Sequence, residues 1–281
     1  MYKTILTLIA AFSIKAFAAP TFVAVKDQAF VANYYPGEHG KIPVLVLEGS
    51  GSGIPKVLAE KISKMGHPVL ALAYYKAEGL PKQLEAIPLE YFEPAKTWLL
   101  QKNNANELAV VGWSKGAEAA LLLSTMDERI RKVVAIAPSH VVWPGIIPGL
   151  ERAPLSSWTL GDKNLAFVPY QASADIRSLR DLYENSLKNT QAVEKAKIEI
   201  ENSKADLLLF SGGEDSVWPA NSMAQEICKR ARLSPQDILC EHHHYPKAGH
   251  LLDSSIPLDG EEAANRDADE DSRTLIARFL R

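Results

Sequence analysis

From residue 42 onward the apolar positions alternate between two rhythms: short unbroken runs, and longer stretches in which apolar residues recur every three or four positions. The runs predict strands at Pro43–Leu47, Pro68–Ala73, Leu108–Gly112, Lys132–Ala137, Asp206–Ser211 and Asp237–Tyr245. Between them, Ile54–Lys64, Glu90–Gln101, Lys115–Thr125 and Ser222–Ala231 have helical spacing, and Thr274–Leu280 closes the chain with a last helical pattern. Strands with no polar face must be covered on both sides. The pattern therefore predicts an α/β protein with a mostly parallel central sheet flanked by helices.

Two regions depart from this rhythm. Residues 21–40 hold enough chain for an edge hairpin ahead of the sheet and no more. Residues 138–205 carry Pro144, Pro148 and Pro154, an aromatic stretch through Trp143, Trp158, Phe167 and Tyr170, and a charged helical segment from Asp175 to Lys197. So long an excursion between two strands predicts a cap inserted over the sheet, the alternative being a surface decoration. The tryptophans Trp113, Trp143 and Trp158 read either as lining of an apolar pocket or as plain core.

With 281 residues, 47% of them hydrophobic, the chain can bury one large core, so residues 20–281 are read as a single domain. A net charge of −3 and the lack of a basic, aromatic-interleaved stripe exclude nucleic acid as a partner. The N-terminus places Lys3 before the apolar run Ile5–Ile14 and then Ala16-Phe17-Ala18, a small-residue cleavage site. The run is too short for a membrane span, so residues 1–18 are read as a signal peptide and the protein as exported, periplasmic or secreted. An anchor helix and a tail are the other readings. Export would let Cys228 and Cys240 pair, although two buried thiols fit the sequence equally well.

Gly112-Trp113-Ser114-Lys115-Gly116 follows the apolar run Leu108–Val111 and opens a helical pattern. Strand, G-x-S-x-G and helix in that order describe a sharp elbow that presents the Ser114 hydroxyl at the carboxyl end of the sheet. A serine hydroxyl needs a base, and the base needs an orienting acid. The strand ending at Ser211 runs into Gly212-Gly213-Glu214-Asp215, which makes Asp215 the candidate acid with Glu214 its rival. The strand ending at Tyr245 runs into Pro246-Lys247-Ala248-Gly249-His250, which puts His250 where the base must stand. His39 and His67 precede the elbow, and His140 follows the next strand too early. His242 and His244 share a strand face and could share a metal, but no matched carboxylate or cysteine spacing accompanies them, so no metal is assigned.

Developing negative charge on an acyl carbonyl calls for two preorganised N–H donors. The backbone of Lys115 supplies one. The glycine-rich run Glu48–Gly53 supplies the other, from Ser50 or, as runner-up, Gly51. That run lacks the endings of nucleotide-binding loops, and the chemistry needs neither metal nor organic cofactor.

On these residues the chain resembles the C-terminal catalytic domain of the acyl-CoA thioesterase and bile acid-CoA:amino acid N-acyltransferase family, itself related to dienelactone hydrolases. The resemblance runs from about Val44 to the C-terminus. It rests on Leu70-Ala71-Leu72-Ala73-Tyr74-Tyr75, Leu80-Pro81, Ile87-Pro88-Leu89-Glu90-Tyr91-Phe92, the Ser114 pentapeptide, Gly213-Glu214-Asp215 and Gly249-His250. It implies an α/β-hydrolase fold, an acyl thioester or ester as small-molecule substrate, and Ser114, Asp215 and His250 as nucleophile, acid and base. Cysteine at the nucleophile position marks the family's amino-acid-conjugating members, so serine implies water as acceptor. Two departures stand out. The N-terminal β-sandwich of the family's mammalian members has no room here, and an exported enzyme would rarely meet coenzyme A thioesters, which makes a carboxylic ester an equal expectation. Transfer to an amine or alcohol, and a noncatalytic binding protein on a hydrolase fold, are the competing readings.

Overall fold

The computed structural model describes residues 21–51, 53–147, 152–256 and 258–281; the expected leader at 1–18 lies outside them. The chain builds β1 (Val23–Ala24), β2 (Val31–Tyr35), β3 (Val44–Leu47), α1 (Lys56–Ser63), β4 (Val69–Ala73), β5 (Ile87–Pro88) and α2 (Phe92–Lys102). It continues through β6 (Leu108–Trp113), α3 (Lys115–Ser124), β7 (Ile130–Ile136), β8 (Trp158–Leu160), β9 (Lys163–Asn164), α4 (Leu179–Ser186) and α5 (Thr190–Ala196). The last elements are β10 (Asp206–Gly212), α6 (Ala220–Ala231), β11 (Cys240–Tyr245) and α7 (Glu262–Phe279).

Eight strands form one sheet in the order β1-β2-β4-β3-β6-β7-β10-β11. It is antiparallel from β1 to β4 and parallel from β4 to β11. The unbroken apolar runs have the cause inferred from sequence. Val44 and Val46 of β3 pack with Leu58 and Ile62 of α1 and Ile276 of α7 on one face. Leu45 and Leu47 pack with Phe92 and Leu99 of α2 and Leu121 of α3 on the other. Each such side chain contributes about 1.5–3 kcal/mol relative to exposure. That reserve lets the rim of the sheet hold strained backbone. After β3 the chain moves to β4 on one side, and after β6 it moves to β7 on the other, so the loops leaving these adjacent strands diverge and open a crevice at their carboxyl ends.

Most predicted elements lie within two residues of the observed ones, and three larger differences stand out. The last strand begins at Cys240 rather than Asp237, because Asp237 turns the chain at φ 53° and pairing with β10 starts at Leu207 opposite Cys240. The final helix starts at Glu262 rather than Thr274: the residues its first turns bury are small or polar, Asn265, Ala268 and Ser272, which carry little apolar periodicity. In the 138–205 stretch, β8 pairs with β5 and β9 to make a second, three-stranded sheet, whose two- and three-residue strands are too short to show a period.

Cys228 and Cys240, left open between thiols and cystine, are bonded, with 5.3 Å between Cα atoms. The bond clasps α6 to β11, the edge strand. Breaking a crosslink over so short a loop should cost about 3 kcal/mol. Cys228→Ser or reduction of the native protein is therefore expected to lower the melting temperature by several degrees; free thiols in the unreduced protein, or an unchanged melt, would refute the clasp.

Candidate active site

β6 ends at Trp113 and α3 begins at Lys115, so Ser114 alone makes the turn, at φ 52° and ψ −114°. A non-glycine residue in this region carries about 1–3 kcal/mol of strain, sustained only by its surroundings. Here the Ser114 N–H donates to Ile136 O at 2.8 Å. The flanking glycines let three backbones meet. A Cβ on Gly112 would lie 2.3 Å from Gly116 O, and one on Gly116 would lie 2.4 Å from Glu48 O. The β3 end, the elbow and the start of α3 are thus in contact through bare backbone.

A second close approach joins the loops that carry Asp215 and His250. A Cβ on Gly212 would lie 2.2 Å from Gly249 O, and one on Gly213 2.1 Å from Pro246 O. This brings Asp215 to His250: the imidazole Nδ1 hydrogen-bonds to Asp215 Oδ2 at 2.8 Å, while Oδ1 accepts from the Val217 and Trp218 N–H groups at 2.8 and 3.1 Å. Asp215 is 1% exposed and His250 3%. The rival Glu214 is exposed and turned to solvent. Ser114, also buried, lies at the carboxyl end of the same sheet, and among the described residues no hydrogen bond joins its Oγ to His250.

Of the expected oxyanion donors, Lys115 opens α3 and Ser50 lies on the loop after β3. That loop lies against the elbow: a Cβ on Gly49 would come within 3.1 Å of the Ser114 Cβ. The Gly49 N–H is occupied by the Glu48 carboxylate at 3.0 Å. Burial raises the Glu48 carboxyl above its ordinary range, and this bond draws it partly back.

The Lys115 side chain turns inward. It is buried and paired with Glu118 at 3.0 Å; burial pushes the Glu118 carboxyl up and the Lys115 ammonium down, each restrained by the other. Glu118 also accepts from Trp158 Nε1 at 2.7 Å and from the Trp143 N–H at 3.2 Å. These bonds tie the 138–205 segment to α3, the helix that follows Ser114. Trp113, Trp143 and Trp158 are all buried, Trp143 against Tyr183 with 4.6 Å between ring centroids. His242 Nε2 and His244 Nδ1 converge on the Ser211 hydroxyl at 2.8 and 3.0 Å, so those nitrogens are spent on a buried serine.

Three supporting residues escaped the sequence reading. Asp259 accepts from the His250 N–H at 2.6 Å and from the Ser216 N–H and hydroxyl at 2.6 and 2.7 Å, bridging the His250 and Asp215 loops. Arg180 of α4 donates to Asp215 O at 2.8 Å and Gly213 O at 3.2 Å. Trp218 stands edge-on to His250, with centroids 5.6 Å apart. None has a local signal, since each acts through backbone groups or rings distant in sequence.

The family model described as BAAT / acyl-CoA thioester hydrolase C terminal matches residues 87–259. Human mitochondrial acyl-coenzyme A thioesterase 2 is 31% identical over 229 residues, covering 78% of this chain and 44% of that protein. Human acyl-coenzyme A thioesterase 1 is also 31% identical over 229 residues, covering 78% and 51%. The chain spans about half the length of the curated relatives it matches. Among solved structures, a putative dienelactone hydrolase from Klebsiella pneumoniae superposes with TM-score 0.57 at 14% identity, over 92% of this chain and 98% of that one. An esterase from Pyrococcus furiosus superposes with TM-score 0.56 at 15% identity, over 92% and 90%. At such identities the likeness speaks to the fold, which is that of the α/β-hydrolases. By the family match over residues 87–259, the chain belongs to the BAAT / acyl-CoA thioester hydrolase C-terminal family.

Proposed function

We propose that the chain is a serine hydrolase that cleaves an acyl thioester or carboxylic ester. The observation that carries this reading is the buried Asp215–His250 hydrogen bond, formed at the same sheet edge as the strained turn of Ser114. In the proposed reaction Ser114 Oγ attacks the acyl carbonyl as its proton passes to His250 Nε2. Asp215 holds the Nδ1 proton and so leaves Nε2 free to accept. The tetrahedral oxyanion is held by the Lys115 and Ser50 N–H groups, and among the described residues neither N–H donates to a protein acceptor. Collapse expels the thiolate or alkoxide, which takes the proton from His250. Water, deprotonated by the same imidazole, then attacks the acyl-enzyme, and its collapse releases the carboxylic acid and returns the proton to Ser114.

The single domain over 20–281, with residues 138–205 as its cap, belongs to the same proposal, as does export. Export is supported by the Lys3-led apolar run with its Ala16-Phe17-Ala18 site and by the Cys228–Cys240 bond, a feature of oxidising compartments. Among the described residues no helix is long and apolar enough to cross a membrane.

The test offers the purified protein an acyl-CoA and a nitrophenyl ester of matched chain length, with an organophosphonate as site label. Free acid is expected as product even with glycine or taurine present, and the label is expected on Ser114. A higher kcat/KM for the ester would support the exported-esterase form, and a marked preference for the thioester would count against export. An unlabelled Ser114, or conversion of product to amide, would defeat the hydrolase reading.

A further inference from the structure

The loop that offers Ser50 is rich in glycine, and Gly49, Gly51 and Gly53 bring no side chain with which to fix a peptide plane. An oxyanion donor is useful only if it is aimed before charge develops. Something outside the loop must do the aiming.

β4 lies beside β3, with Leu72 opposite Leu47, so the two residues that follow β4, Tyr74 and Tyr75, emerge next to the loop that follows β3. The Tyr74 hydroxyl donates to Glu48 O and lies 3.4 Å from Gly49 O; the Tyr75 hydroxyl donates to Gly49 O at 3.3 Å. Each hydroxyl has one proton to give, which assigns Tyr74 to the Glu48 carbonyl and Tyr75 to the Gly49 carbonyl. In a planar trans peptide the C=O and the next N–H point in opposite directions, and no cis peptide occurs among the described residues. Fixing the Glu48 carbonyl therefore fixes the Gly49 N–H, which the Glu48 carboxylate already holds. Fixing the Gly49 carbonyl fixes the Ser50 N–H, which points away from the tyrosines and is the loop's first donor left for an anion.

We infer that Tyr74 and Tyr75 are positioning residues that aim the Ser50 N–H for the oxyanion by clamping the two preceding carbonyls. The inference rests on the reading of Ser114 as nucleophile. The clamp is itself held firmly. Tyr74 and Tyr75 are 1% and 2% exposed, and Tyr74 packs against Phe92 and Trp158 with ring centroids 5.6 Å away in each case. Burial raises the ionisation of both phenols well above the ordinary tyrosine range, so both remain donors throughout the working pH of a hydrolase.

The test compares wild type with Tyr75→Phe and Tyr74→Phe, which keep the rings and remove only the hydroxyls. It reads kcat, KM, melting temperature and the Ki of a trifluoromethyl ketone, which forms a tetrahedral oxyanion on the serine. Losing an oxyanion donor outright costs roughly 10²–10³ in kcat. Disorienting one should cost about 10–100-fold in kcat, with Ki for the ketone rising by the same factor and KM moving less than about threefold. A merely structural role would instead lower the melting temperature and raise KM without this parallel. If either variant is poorly folded, the other still carries the comparison. Unchanged kcat and Ki in both variants, with organophosphonate labelling of Ser114 intact in wild type, overturn the clamp and leave the nucleophile standing; absence of that labelling overturns both.

Discussion

Ser114→Ala is expected to lower kcat/KM by roughly 10⁴–10⁶, for thioester and ester alike, with an unchanged fold. The size follows from what is removed. Without Oγ no acyl-enzyme forms, and only substrate binding and the oxyanion donors remain to assist direct attack by water, worth about 10³–10⁴ over solution. The fold should survive because alanine meets the same backbone penalty as serine at φ 52°, and the turn is held by the Ser114 N–H on Ile136 O and by the close packing of Gly112 and Gly116, none of which involves the hydroxyl. Among the described residues Oγ holds no hydrogen bond, so nothing is orphaned by its loss. Steady-state kinetics with a thermal melt on the same sample decide the matter. A variant within tenfold of wild type would mean that another group performs the chemistry, and the assignment of Asp215 and His250 would lose its purpose.

The elbow was legible in sequence for the reason that makes it strained. A serine forced between a strand and a helix needs glycine wherever backbones touch, so Gly112 and Gly116 write the packing into the sequence. Gly212, Gly213 and Gly249 do the same for the loops of Asp215 and His250. The central strands were legible because both faces are buried, which leaves no polar position to interrupt a run such as Val44–Leu47. Where that condition fails, the reading fails too. The first turns of α7 bury only the small or polar Asn265, Ala268 and Ser272, and β5, β8 and β9 are too short for any period. Least legible were the residues that hold the site in place. Arg180, Asp259, Tyr74 and Tyr75 act on backbone N–H and C=O groups, which every residue possesses, so no pairing of side-chain types could reveal their partners. Tyr74 and Tyr75 entered the sequence reading only as part of a family resemblance; their use is visible once the carbonyls of Glu48 and Gly49 have positions.

Asp215→Asn should be nearly as damaging as loss of the Ser114 hydroxyl, about 10⁴ in kcat, through a single proton. Asp215 divides its oxygens: Oδ1 is engaged by the Val217 and Trp218 N–H groups, and Oδ2 receives Nδ1 of His250. Asparagine fits the same space. Its carbonyl oxygen must take the place of Oδ1, because two N–H donors point there, which turns its NH₂ toward Nδ1. Two donors cannot face each other, so the imidazole adopts the tautomer with its proton on Nε2 and presents no lone pair to Ser114. Asp259 still holds the His250 N–H, and Trp218 still packs on the ring, so the base should stay in place while losing its function. Asp215→Ala separates this effect from stability: it leaves the Val217 and Trp218 N–H groups and the imidazole without their acceptor, at about 1–3 kcal/mol for each buried group left unpaired. The expected pattern is two variants of similarly low kcat, of which only the alanine melts several degrees lower. Wild-type turnover in Asp215→Asn would show that His250 needs no carboxylate to set its tautomer, and would leave this acid a purely structural tie between the two loops.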